Sequence, residues 1–371
     1  MANYDGITAP SIAVQFYISS TWTSVPAGDV LETNIRRGLK QYDVLNQSGI
    51  ASVVFNNYSG NYDPDNTSGA YSPYLKAGLQ VRIQATWAST PYILFQGYLE
   101  SSLVNQGHYP TVTMTYHDGL AFIAEVEAPV LAALANSETA AVRVGRMLDL
   151  AGWPGGGSRS LTGTVTLQNT IQGKSCLVMI NQAVNAIAGR FYISRSGVAT
   201  LVPLSDKFSR PTQLLFSDQG DAYSVEYQGL VVDPGSYYLV NQAIVDRGAS
   251  ATQGSTYNPS KNSYGLVSKV FDAPILVDAS GANLALYQSR QQATPTTYAK
   301  QIDFSALALS ALYPDFLACE IGDQVSVKRL TEDGRYLQYN LVIEGMNHKI
   351  TGDDWQVSFH TSPINPYSIT I

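Results

Sequence analysis

The chain is poor in cysteine: Cys176 and Cys319 are the only two among 371 residues. They stand far apart and without metal-ligand spacing, so both read as buried free thiols and not as a disulfide. Charge is also scarce. Asp, Glu, Lys and Arg make up 14% of the chain, against about 25% in ordinary globular proteins. The 22 basic residues are scattered, which excludes a basic face that grips nucleic acid by neutralising phosphates. The histidines, His108, His117, His348 and His360, form no H-E-x-x-H pair, so no zinc site is expected. The longest apolar run, Gly119 to Ala135, carries Glu125 and Glu127 and is too short and too charged to span a bilayer. The opening Met1-Ala-Asn-Tyr-Asp5 has neither a basic nor an apolar leader segment, so a protein made in a cytoplasm is expected.

Motifs for chemistry are missing as well. No G-x-S-x-G elbow is present, so a serine hydrolase lacks its usual nucleophile turn. Gly173-Lys174-Ser175 is similar to the end of a phosphate-binding loop, but Gln168 stands where the first glycine is needed. Asp63-Pro64-Asp65-Asn66 lacks a calcium loop's twelve-residue pattern and closing Glu. It reads as a turn pinned by Pro64, with Asp63 accepting backbone N–H bonds. No stretch nominates paired carboxylates for glycan cleavage, which meet only in the fold. The expectation is a protein with no cofactor, no metal and no catalytic role.

What the chain does contain is tyrosine, 24 residues, and glycine, 30 residues, with an ordinary apolar fraction of 45% and a net charge of −7. Low charge with high tyrosine suits the cores of subunit interfaces, and equally a β-rich protein with an uncharged polar surface. A segment is also written twice, loosely. Gly78-Leu-Gln-Val81-Arg82-Ile83, Phe95-Gln-Gly97-Tyr-Leu99 and Val112-Thr-Met114-Thr-Tyr116-His117 return as Gly322-Asp323-Gln-Val325-Ser-Val327, Ile343-Glu-Gly345-Met346 and Trp355-Gln-Val357-Ser-Phe359-His360. Each piece alternates apolar and polar residues, the period of a half-buried strand. Aligning the glycines sets Gly97 on Gly345 and Val81 on Val325. Two like β modules per chain would let a trimer imitate a six-fold ring.

The texture along the chain predicts a mainly β fold with a small α+β insert. Residues 1–125 read as a β-barrel, 126–222 as a peripheral α+β domain, and 223–371 as a second barrel interrupted by a loop-rich insertion at about 247–318. Strands are expected at Ile12–Ile18, Ile50–Phe55, Gln80–Thr86, Tyr92–Glu100 and Thr111–Tyr116, and later at Tyr223–Gly229 and Leu239–Asp246. Ser137 is placed as the cap of a helix running to about Gly152, before Pro154 and the Gly155–Gly157 tract. A second helix is expected from Ser175 to Ala188, and a hairpin over 191–202. Ala249–Tyr264 reads as a polar loop, and a short helix capped by Ser280 is expected over 282–292. Thr331–Arg335 reads as a hairpin turn.

The block Ser48-Gly49-Ile-Ala-Ser-Val-Val-Phe55-Asn-Asn57-Tyr-Ser-Gly60-Asn-Tyr62-Asp63-Pro64, then Ser72-Pro73-Tyr74, Gly78-Leu-Gln-Val-Arg82-Ile83 and Phe95-Gln-Gly97, resembles the N-terminal region of minor tail proteins of long-tailed bacteriophages. Ile321-Gly322-Asp323 to Glu344-Gly345 and Trp355 resembles the closing barrel of that family, while 223–300 matches poorly. The resemblance implies a baseplate (tail-tip) hub: a trimer with two similar tube-like barrels per chain, joining the six-fold tail tube to a three-fold tip. It implies contacts with the distal tail protein, the tape measure and tip or fibre proteins, assembly in the host bacterial cytoplasm, and DNA passing through the lumen without specific binding. The motif residues Asn57, Gly60, Asp63, Pro64, Gly78, Arg82, Gly97, Gly322, Asp323 and Gly345 are expected to be structural. The acidic balance predicts a neutral or acidic lumen rich in Ser, Thr, Asn, Asp and Glu. A hexameric distal tail protein is the nearest competitor. A glycan-binding host-recognition module, suggested by the tyrosines, and a cell-wall hydrolase are readings from other classes.

Overall fold

A computed structural model of the chain describes residues 9–38, 47–128, 137–153, 158–168, 174–207, 210–235, 239–308 and 310–364. Seven strands come first: β1 (Ser11–Ile18), β2 (Thr21–Ser24), β3 (Val30–Gly38), β4 (Ile50–Asn56), β5 (Gln80–Trp87), β6 (Thr90–Asn105) and β7 (Thr111–His117). The chain then passes through α1 (Leu120–Glu125), β8 (Glu138–Thr139), α2 (Ala140–Leu150), β9 (Arg159–Leu161), β10 (Thr166–Leu167), α3 (Cys176–Ala186), β11 (Arg190–Ile193), β12 (Ala199–Val202) and α4 (Leu204–Lys207). It rejoins the main sheet with β13 (Thr212–Ser217), β14 (Ser224–Val225) and β15 (Gly229–Asp233). A second excursion follows: β16 (Gln242–Asp246), β17 (Gln253–Thr256), α5 (Asn258–Tyr264), β18 (Ser268–Asp272) and α6 (Asp278–Gln291). The chain returns through β19 (Tyr298–Ser305), α7 (Tyr313–Ala318), β20 (Gln324–Leu330), β21 (Tyr336–Thr351) and β22 (Trp355–Pro363).

The alternation read from the sequence places the core side chains. On β4, Ala51, Val53 and Phe55 are fully buried, as are Val112, Met114 and Tyr116 on β7. The first seven strands lie in the order β3-β4-β7-β6-β5-β1-β2, with every neighbour antiparallel. The C-terminal seven lie in the order β14-β13-β20-β21-β22-β19-β15. Here β13 runs parallel to both of its neighbours, whereas β1 runs antiparallel to β5.

Both halves roll up. Laid flat, β1 and β4 would lie about 19 Å apart, four strand spacings of roughly 4.8 Å. Instead the rings of Phe16 on β1 and Phe55 on β4 are 6.0 Å apart. Phe216 on β13 and Phe304 on β19 meet in the same way at 5.0 Å. Among the described residues neither half closes by strand pairing. The expected pair of tube-like barrels is therefore seen as two open, rolled half-sheets.

The halves are joined into one fourteen-stranded sheet through β21. Its first part, Tyr336–Val342, pairs with β20, and Gly345–Thr351 pairs on that same edge with β3, while β22 holds the other edge.

The internal repeat is visible as hydrogen-bond register. Gly78 N–H donates to Leu99 O at 2.8 Å and Leu99 N–H donates back to Leu79 O at 2.8 Å. Gly322 N–H donates to Ile343 O at 2.8 Å and Ile343 N–H to Asp323 O at 2.9 Å. Gly322 thus takes the place of Gly78, and Val325 that of Val81. Each long strand then carries a register shift, after Leu99 in one half and after Ile343 in the other, with Glu100 and Glu344 as the extra residues. The pairing of Gly97 with Gly345 is corrected by this register. Val81 faces Gly97 and Val325 faces Leu341, so Leu341 occupies the place of Gly97, and Gly345 that of Ser101. A slip of four residues preserves the two-residue period of the sequence, and the bulge that reverses the facing beyond Glu100 and Glu344 is not written in that period, so alternation does not reveal the slip.

Several local expectations shift. Thr139, not Ser137, caps α2, its hydroxyl accepting from Val142 N–H at 3.3 Å. The second helix, expected over Ser175–Ala188, is α3 (Cys176–Ala186), capped by Ser175, whose hydroxyl accepts from Val178 N–H. The 249–264 segment holds β17 and α5, and α6 begins at Asp278 after Val277. Pro154, Gly155–Gly157 and Gly173 lie outside the described residues. The strands β13 and β19, at 212–217 and 298–305, belong to the main sheet. A second core forms where Met147 and Leu148 of α2 and Ile180 of α3 pack with Val245, Ala273, Ile275 and Leu284 of the later excursion. The two peripheral segments thus share one core. No described helix is long and apolar enough to cross a membrane.

Candidate functional site

Of the motif residues, Gly78, Arg82 and Gly97 belong to the β5–β6 pairing, and the others divide between two places. Asn57, Gly60, Asp63 and Pro64 lie in the loop after β4, where Asn57 is buried and its side-chain oxygen accepts from Tyr62 N–H at 3.0 Å. Tyr62 is fully buried, stacks on Phe55 at 4.5 Å and donates its hydroxyl proton to Asp29 at 2.7 Å. Burial, with the carboxylate of Asp29 beside it, pushes the Tyr62 phenol well above its usual range. Asp63 is half-buried and accepts from Asp65 N–H at 2.9 Å. The loop folds over the open end of the first core, with Tyr71 edge-on to Phe16 at 5.4 Å. Nearby Arg82 on β5 donates to Gln15 at 2.8 Å and lies 4.6 Å over the Trp22 ring.

Gly322, Asp323 and Gly345 come together at the seam between the halves, where the first peripheral unit also docks. Gly345 pairs with Gly38 of β3. Gly38 has φ of 74°, and a side chain there would start 2.2 Å from Glu344 O. Three buried or half-buried ion pairs fasten the joint. Arg37 on β3 reaches Glu320 at 2.6 Å, Arg190 on β11 reaches Glu344 at 2.5 Å, and Arg210 reaches Asp323 at 2.7 Å. Glu344 also accepts from the Ser362 hydroxyl at 2.5 Å, and Glu320 from Arg195 N–H at 2.9 Å. Pairs of this kind contribute little net stability but penalise any other docking geometry, because a lost partner leaves a buried charge.

Two titratable groups at the joint are displaced by burial. Asp118, at the exit of β7, accepts from Gly49 N–H at 2.7 Å, the Ser48 hydroxyl at 2.8 Å and Leu120 N–H at 2.9 Å. Burial raises its pKa, and these bonds and Arg37 offset only part of that rise. His348 accepts from the Trp355 indole N–H at 3.3 Å. Burial first, and the charge of Arg37 second, lower its pKa to about 3, so it is neutral at physiological pH. The joint encloses a cavity of about 30 Å³, far below the several hundred Å³ of a small-molecule site. No metal-binding cluster occurs among the described residues. Cys176 and Cys319 are free and buried, which pushes both thiols up.

Through its ion pairs and buried carboxyls this joint holds the two halves and the peripheral unit together. The sequence reading missed its arginines and Glu320, because β3 shows little apolar alternation: its inward positions are Thr33, Ile35 and Arg37. On the outer face the same seam forms an open groove of about 540 Å³ across β3, β4, β21 and β22. Asn34, Arg36, Ser52, Asn347, Lys349 and Ser358 line it. Glu32 and Asp303 share this face, where Asp303 accepts from the Ser358 hydroxyl at 2.5 Å and Glu32 from the Asn34 amide at 2.8 Å. The face is polar, with acid and base in balance.

No family model matches the chain, and no curated protein matches it. Solved structures do. A tail protein from Neisseria meningitidis MC58 superposes with a TM-score of 0.66 at 11% identity, over 96% of this chain and 97% of that one. The 43 kDa tail protein of prophage MuSo2 from Shewanella oneidensis gives 0.62 at 11% identity, over 96% and 97%. Prophage tail protein gp18 from Listeria monocytogenes EGD-e gives 0.54 at 11% identity, over 95% of each. The chain shares its whole fold with these phage tail proteins.

Proposed function

We propose that this chain is a structural subunit of a phage-type tail, and within it the hub of the tail tip. Three copies form a ring that presents six similar half-sheets to the tail tube and a three-fold frame to the tip. The observation that carries this reading is the duplication: two seven-stranded half-sheets with matching hydrogen-bond register, locked to each other through β21 and β3. A chain holding two such modules needs three copies, not six, to match a six-fold tube. This favours the hub over the hexameric distal tail protein. The full-length likeness to tail proteins supports the tail itself.

In this reading the polar outer face of the seam lines the lumen. Its basic residues, Arg36 and Lys349, are balanced by Glu32 and Asp303, so phosphates slide past without being held. The motif loop at Asn57–Pro64 and the buried ion pairs act as scaffold, and neither takes part in a reaction. Neighbouring tail proteins, namely the distal tail protein, the tape measure and tip or fibre proteins, are the expected partners. Sedimentation or native mass measurement decides the copy number: three chains are expected, and six would return the reading to the distal tail protein. Antibody labelling of particles in the electron microscope should mark the tail tip. Labelling along the tail shaft would overturn the hub.

A further inference from the structure

Among the strand edges that lack a pairing partner among the described residues, two are matched to each other by the internal repeat. The β6 segment Ser101–Asn105 pairs with β7 on one edge, while β5 and the residues leading into it cover the other edge only as far as Leu99. In the second half the counterpart of that bare edge is Gly345–Thr351 of β21, the segment that takes β3. The second of these edges belongs to β15, which bonds only to β19 among the described residues. Following the register strand by strand, Ser101 stands for Gly345, Thr115 for His360, and Ser52 for Gln301. Asn34 faces Ser52 and Val231 faces Gln301, so β15 stands for β3. The chain therefore carries one joined seam, β21 with β3, and the two separated halves of a second one, β6 and β15.

We infer that copies of this chain join head to tail, Leu103–Asn105 at the end of β6 in one copy pairing antiparallel with Val231–Asp233 of β15 in the next and continuing the sheet. This deepens the ring reading by naming the strands that meet. Inside the chain Lys349 faces Asn34, so between copies Asn105 should face Val231. The surface agrees. Leu103 is 71% exposed and Val231 is 48% exposed, and both stand on the outer face, where the internal seam carries Asn347 and Asn34. Pairing would set these two apolar side chains diagonally across the ladder, within reach of each other, and would satisfy two rows of backbone donors and acceptors that otherwise invite uncontrolled association. A contact between unlike edges leaves each copy with one edge of each kind, so the assembly must close into a ring or extend.

The test is disulfide trapping in the full chain. Directly opposed residues of an antiparallel pair have Cα atoms about 4.5–5.5 Å apart, within disulfide reach, and the native thiols are buried. Under mild oxidation, Asn105→Cys with Val231→Cys should give a ladder of linked chains that ends at the size of the assembly. The control pair Asn34→Cys with Lys349→Cys should close within one chain. No ladder while the control closes would overturn the inference, as would single variants that link as well as the double. Should the cysteine variants fail to fold, Leu103→Glu and Val231→Lys replace them. Each alone should weaken self-association about tenfold, and a mixture of the two should recover it; unchanged association in both would equally overturn the pairing. Tail tips that label while chains stay unlinked would sink the edge pairing alone. Linked rings absent from tips would sink the tail reading alone.

Discussion

Glu100 and Glu344 occupy the same extra position in the two copies of one long strand, yet they live in opposite surroundings. Glu344 is 6% exposed with Arg190 at 2.5 Å, whereas Glu100 is 58% exposed and pairs with His117 at 2.7 Å. Glu344→Gln should keep the Ser362 contact and strand Arg190, at a cost of about 3–5 kcal/mol. Glu100→Gln should change stability by less than about 1 kcal/mol. Urea unfolding of the two variants checks the contrast, and equal effects would mean that the joint is not dry. His348 makes a pH prediction. Its pKa in the folded chain is about 3, against about 6.5 unfolded. Between those values the unfolded state binds more protons, so stability is lost as pH falls from about 6.5 towards 3, at up to about 1.4 kcal/mol per unit. His348→Gln keeps an acceptor for Trp355 and should flatten that slope in unfolding curves taken at pH 7, 5 and 4. An unchanged slope would place the acid sensitivity elsewhere.

At the scale of elements, the seam depends on β3 and β21 approaching closely at Gly38. Gly38→Ala combines a left-handed φ, which costs an L-residue about 1–2 kcal/mol, with a Cβ that would begin 2.2 Å from Glu344 O. Hydrogen exchange should then quicken in β3 and in 345–351 together, while the β5–β6 hairpin keeps its protection. Uniform loss of protection would show one cooperative unit instead. The elements legible in the sequence were those with a clear period and a clear stop: β4, β5, β7, α3 and the 331–335 turn. Strand β3 was not legible, because two of its inward residues, Thr33 and Arg37, are polar and find their environment only in the other half and the peripheral unit. Helix α7 was missed for a similar reason. Six residues long, it is held by burial of Tyr313, Phe316 and Leu317, and Tyr313 packs on Trp87 at 4.5 Å.

At the scale of the whole molecule, the balanced charge of the outer seam predicts weak contact with DNA. Retention of the assembled protein on duplex DNA should be negligible at physiological salt, with a shallow salt dependence, measured by sedimentation with labelled duplex. Tight binding at physiological salt would count against a lumen that passes DNA freely. Introducing Asn34→Lys with Asn347→Lys should raise retention by removing that balance. By itself the sequence determined the β character, the existence of the repeat and the turn-forming nature of the Asn57–Pro64 loop. These follow from period, composition and local turn chemistry, which act over a few residues. Tertiary structure alone decided the register of the repeat, since a slip of four residues preserves the period of the sequence and the bulge that shifts the facing is visible only in the strand pairing. It also decided that the two halves share one sheet and that two peripheral segments share one core. Those outcomes rest on contacts between residues more than a hundred positions apart, such as Arg37 with Glu320 and Arg190 with Glu344. No local pattern encodes which distant partner a buried charge will meet.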